Sequence, residues 1–143
     1  MERLPLRRSL FVALFVAVTW GAATFAVAGL LAVLLDRDPI ETQAGPVYVG
    51  LIGLALAGIA VWLIVAFTAR APRPWMGALG AAASVYLVIV TAAMFVSFPM
   101  FAEQASSPFV IAASVLAAAA VVTTWAVLRS PPEGGLSGRT PRT

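Results

Sequence analysis

The sequence predicts an all-α integral membrane protein: four transmembrane helices in an antiparallel up-down bundle, with both termini on the cytoplasmic side. Three observations lead there. Residues 9–35, 47–69, 76–98 and 109–128 contain no Asp, Glu, Lys, Arg or His. Hydrophobic residues make up 62% of the 143 and charged residues 10%, whereas a soluble domain carries about a quarter charged residues. The basic residues, all arginines, sort by side of these stretches. A bilayer core about 30 Å thick is crossed by about 20 apolar helical residues, so each stretch can span, the first with length to spare.

The sorting sets the orientation. Arg3, Arg7 and Arg8 precede the first stretch, Arg70 and Arg73 lie between the second and third, and Arg129, Arg139 and Arg142 follow the fourth. The other two connections hold Arg37 against Asp36, Asp38, Glu41 and Glu103. Short cytoplasmic segments are rich in arginine and lysine, which places the N-terminus, the second connection and the C-terminus inside. Arg3, Arg7, Arg8, Arg70, Arg73 and Arg129 are the topology-setting residues. The isoelectric point near 10.6 follows from this sorting, and no nucleic-acid partner is expected.

The first helix follows a basic segment, and Ala26-Val27-Ala28 imitates a signal cleavage site. The apolar run continues to Leu35, beyond the 7–15 residues of a signal core, so a retained helix is expected. Proline punctuates the rest. Pro46, Pro74 and Pro108 stand at or just before the starts of helices two, three and four, where a missing N–H costs little. Ser106 and Ser107 offer N-cap oxygens ahead of the fourth. Pro99 is expected to end the third helix and Pro131-Pro132 the fourth. Residues 1–8 form a basic N-terminus, 9–128 the membrane domain, and 129–143 a cytoplasmic tail with almost nothing apolar to bury, expected to be disordered.

Trp75 and Trp125 fall near the inner interface and Tyr48 near the outer one, the depth that suits amphipathic rings. Trp20, Trp62 and Tyr86 fall deeper. Their N–H and O–H groups call for partners on neighbouring helices.

Small residues mark the contact faces, since helices in lipid associate by close approach. The second helix places Gly50, Gly53, Ala57 and Ala60 on one stripe. The first carries Ala22, Ala26 and Gly29 on one face and Ala13, Ala17, Gly21, Thr24 and Ala28 on another. The third has Gly77, Gly80, Ser84, Leu87 and Thr91, the fourth Ala113, Ala117, Ala120 and Thr124. Packing within the bundle is the commoner use of such stripes. With two faces, the first helix is the candidate for packing inside and docking outside.

Polar groups are sparse. Asp36, Asp38, Glu41 and Glu103 could hold a hard cation, but no calcium-loop spacing is present, and they read as a solvated outer surface. Hydroxyls at Thr19, Thr24, Ser84, Thr91, Ser97, Ser114, Thr123 and Thr124 could line a path; more often they bond back to their own helix. Ser137, Thr140 and Thr143 could accept phosphate beside Arg139 and Arg142, though an unmodified linker is the plainer reading.

The absences narrow the function. With no ionisable residue in the spans, proton relays and coupled transport lose their usual marks. Small four-helix multidrug exporters need a membrane-embedded carboxylate. Thiol oxidases need cysteine and haem bundles use histidine; the sequence contains neither. No metal or other cofactor is expected, no catalytic residue stands out, and the chain reads as a non-enzyme. Arginine without lysine, beside abundant alanine, suggests a high-GC bacterial genome, and in composition and layout the chain resembles small four-span membrane proteins of actinobacteria. That likeness carries no site. The expected function is structural or accessory, in the cell membrane, with the bilayer and either a membrane-protein partner or a second copy as contacts. The alternative is a small channel or transporter component for a neutral or hydrophobic substrate.

Overall fold

A computed structural model describes residues 6–36, 48–68 and 71–129, the side chains of 6–8 and 48–49 aside. They form five helices, α1 (Leu6–Leu35), α2 (Tyr48–Thr68), α3 (Trp75–Met94), α4 (Phe98–Ala105) and α5 (Pro108–Arg129), and no strand. Four of these, all but α4, are long and apolar enough to cross a membrane. The 1–5 segment, most of the first connection, residues 69–70 and the tail, with its phosphate-acceptor candidates, lie outside the described residues.

The four long helices pack in a closed ring. The closest packing joins α3 to α5 and α2 to α3, α1 closes the ring against α2 and α5, and α2 also touches α5. The core along the axis is built from alanine and valine: Ala13, Ala17, Ala57, Val61, Val65, Ala81, Val85, Ala113, Ala117 and Val121 are all buried. Apolar burial gains nothing between helices already in lipid, so close packing of small side chains must supply the attraction. Outward positions carry the bulk, with Phe11, Phe15, Leu51, Leu79 and Ile111 exposed.

Two indoles fix the register of α1. The Trp20 Nε1–H donates to the Ala113 carbonyl at 3.1 Å, and the Trp62 Nε1–H to the Leu10 carbonyl at 3.1 Å. At about 1.5 Å per residue, these anchors leave the end of α1 overhanging the starts of α2 and α5 by about 15 Å. Burial agrees: Ser9, Ala13, Ala17 and Trp20 are buried, and no α1 residue beyond Trp20 is. Asp36 follows α1 with φ of 48°, the left-handed conformation that commonly closes a helix and that Asp tolerates better than most residues.

The third connection differs from expectation. The third span, expected over 76–98, ends as helix at Met94, and Pro99 starts a helix instead of stopping one. Ser97 is the N-cap of α4, accepting from the Met100 amide at 3.3 Å, and proline suits the first turn that follows. Met100 and Gln104, four apart on one face, are buried, while Phe98 and Phe101 stack on each other at 5.8 Å.

The last four carbonyls of a helix lack partners within it, and each one in α4 finds another. Ser106 Oγ donates to Ala102 and Glu103, at 3.3 and 3.4 Å. The Ser107 amide donates to Gln104 at 3.2 Å, and the Tyr86 hydroxyl to Ala105 at 2.8 Å. Tyr86→Phe is therefore expected to destabilise the protein by about 1 kcal/mol and to speed amide hydrogen exchange in α4 and the first turn of α5. Exchange rates unchanged there would show that the hydroxyl does not hold α4.

Candidate helix-contact surfaces and the arginine end

The stripe on α2 divides by depth. Gly53 and Ala57 are buried, Ala60 is half-buried and Gly50 is exposed. Gly53 faces Ala92 of α3, and a Cβ built on it would lie 3.5 Å from the Ala92 Cβ, an ordinary contact. Gly50 and Gly53 also border a recess of about 50 Å³ shared with Met100 and Gln104 of α4. On α5, Ala113, Ala117 and Thr124 are buried and Ala120 half-buried. On α3 the buried row is Ala78, Ala81 and Val85, one position along from the expected stripe, whose outer members Leu87 and Thr91 are exposed.

The two faces of α1 part company. Ala13 and Ala17 are buried and Gly21, Thr24 and Ala28 half-buried, whereas Ala22, Ala26 and Gly29 are all exposed. A Cβ on Gly29 would meet nothing within 4 Å. The small outward stripe continues into the overhang, where Phe25, Leu30, Val33, Leu34 and Leu35 are exposed as well.

Three hydroxyls of the spans bond back to their own helices. Thr19 donates to the Phe15 carbonyl at 2.9 Å, Ser114 to Val110 at 2.8 Å and Thr124 to Ala120 at 2.7 Å. Thr24 Oγ1 is enclosed without a partner. Tyr86 is tied to α4, Thr91 lies on an outward groove of about 510 Å³ between α2 and α3, and Thr19 and Thr123 border another of about 310 Å³ between α1 and α5. Both grooves open outward, and the axis between the helices is filled by the valines and alanines of the core. Among the described residues, neither of these grooves runs along the axis of the bundle.

The charges gather at opposite ends. The start of α1, the α2–α3 turn and the end of α5 share one end, as the Trp62–Leu10 bond and the Arg129 contacts require. Arg7 and Arg8 lie on the first turn of α1, and Arg73 and Arg129 are exposed; Arg3 and Arg70 lie outside the described residues. Asp36 and Glu103 sit at the far end, while Asp38 and Glu41 are not described. No group of three metal-ligating side chains occurs among the described residues.

Arg129 does more than carry charge, which sequence reading missed. Its guanidinium lies over the Trp125 ring, Cζ 4.4 Å from the centroid. Its NH2 donates to the Ala71 carbonyl at 2.6 Å and its NH1 to that of Pro72 at 3.4 Å. Trp125 Nε1–H adds a second bond to Ala71, at 3.2 Å. A Trp and an Arg four apart at the end of α5 thus clamp the α2–α3 turn, and the cation also suits the helix C-terminus. The i, i+4 spacing was the signal available in the sequence. The chain matches no protein-family model, no curated protein and no solved structure.

Proposed function

We propose that this is a non-catalytic accessory protein of the cell membrane, which docks the outward face of α1 against a membrane-protein partner or a second copy of itself. The unpaired half of α1 carries this reading. Ala22, Ala26 and Gly29 present a small-residue face that the bundle does not use, and such faces allow helix backbones to approach closely. The absence of histidine, cysteine and lysine from the sequence supports a role without chemistry of its own. The arginine distribution supports an orientation with both termini in the cytoplasm.

Because the sequence has no cysteine, a single one can be placed cleanly. Ala26→Cys, labelled with a short thiol-reactive photocrosslinker that inserts into any neighbouring C–H bond and irradiated in native membranes, is expected to give one discrete adduct, either a dimer or a stoichiometric heteromer. Leu63→Cys, exposed on α2, should give none. Adducts of equal yield and mixed size from both positions, or none from Ala26→Cys, would overturn the docking role.

A further inference from the structure

Arg129 is a cation held in place by neutral groups, with no carboxylate beside it among the described residues. A guanidinium has five N–H donors; the Ala71 and Pro72 carbonyls engage two, which leaves three. Its position is fixed by those bonds and by the Trp125 ring, so little side-chain freedom remains to be lost on binding. Arg73 follows Pro72 directly and is exposed, which puts a second cation on the turn that Arg129 grips. The carboxylates of the described residues, Asp36 and Glu103, lie at the opposite end of the bundle. Trp75 and Trp125 belong to this same end, and Trp75 is 67% exposed; such rings favour headgroup depth. A planar guanidinium matches two oxygens of a phosphate at once.

We infer that the α2–α3 turn and the end of α5 form a binding site for a phosphate group, supplied by an anionic lipid headgroup, with Arg129 as the fixed ligand and Arg73 as the second. The site lies where spans meet headgroups, and basic groups between helix ends are one recognised means of holding an anionic headgroup. The carbonyls of Ala71 and Pro72 orient the fork, and Trp125 keeps it off the bilayer core. This site stands apart from the outward face of α1 and does not depend on the docking role.

The test uses the full chain, delipidated in mild detergent and titrated with phosphatidylglycerol or phosphatidylcholine under native mass spectrometry. The wild type is expected to retain phosphatidylglycerol in preference. Arg73→Gln and Arg129→Gln should each weaken retention by about fivefold, the worth of one interfacial arginine. Arg73→Gln leaves the clamp intact, so its effect is not one of folding. Arg129→Lys keeps the charge but loses the fork, and should also weaken binding. In a parallel arm, millimolar inorganic phosphate that displaces the lipid would show the free anion to be a ligand too, whereas lipid held against phosphate would assign the site to the headgroup; either result supports the site. Equal retention of the two lipids, or Arg73→Gln and Arg129→Lys both behaving as wild type, would overturn it.

Discussion

Gly77→Ala is expected to lower the stability of the purified protein by about 1–3 kcal/mol, the cost of overpacking a close contact. At the arginine end, the first turn of α3 presses against Thr68, the last residue of α2 and buried. A Cβ on Gly77 would overlap the Thr68 hydroxyl and methyl and come 2.8 Å from its Cβ. Rotating the threonine can move the first two atoms but not the third, which is fixed to the backbone, so the helices themselves must shift. Two companions isolate the cause. Gly80→Ala, where a Cβ meets nothing within 4 Å, should be neutral or stabilising by up to about 1 kcal/mol through helix propensity. Thr68→Gly combined with Gly77→Ala moves the missing Cβ from one helix to the other and should recover much of the loss. Thermal unfolding in mild detergent reads all three. A Gly77→Ala transition at or above the wild-type temperature would contradict the close approach of α2 and α3.

Trp20→Ala is expected to have the largest effect of any single change, about 3–5 kcal/mol. Trp20 is 2% exposed; it sits over Gly58, whose added Cβ would lie 3.9 Å from its ring, and it ties α1 to α5 through Ala113. Trp20→Phe keeps most of the ring and removes the N–H, so its cost should include about 0.6–1.7 kcal/mol for the bond. With Trp20 gone, the Trp62 bond to Leu10 remains near the opposite end of α1. The helix should therefore detach first at the end away from the arginines, seen as faster hydrogen exchange beyond residue 20 than before it. Uniform exchange along α1 in Trp20→Ala would show that the indole is not its main anchor there.

The spans were legible because the bilayer imposes a length and forbids charge, and both can be read by position alone. The short helix α4 was not. Its proline looked like a stop because an apolar run preceded it, and the Ser97 cap that turns the same proline into a start becomes visible only once α3 has ended early. The stripes were legible as composition but not as direction. On α1, spacing puts Ala13 and Ala26 on different faces, and only the depth of Trp20 against α5 decides which is inside. On α3, the expected row and the buried row are one residue apart, and adjacent rows of small residues look alike in the sequence. Arg129 was readable as charge. Its grip on the α2–α3 turn depends on where α5 ends relative to residue 71, which is a property of the assembled bundle.

Trp20, Trp62, Tyr86, Trp125 and Arg129 each spend a side-chain donor on a main-chain carbonyl of another element. The acceptors, at Ala113, Leu10, Ala105, Ala71 and Pro72, belong to the backbone and survive a change of the residue that bears them. Inheritance should register this asymmetry. Each donor position stands under selection alone, with no partner position obliged to change in step. Among descendants of this sequence, drift at 10, 71, 105 and 113 would be governed by volume and helix formation. A screen for second-site suppressors of a lost donor should recover substitutions that refill space around it and none that restore the bond by altering its acceptor.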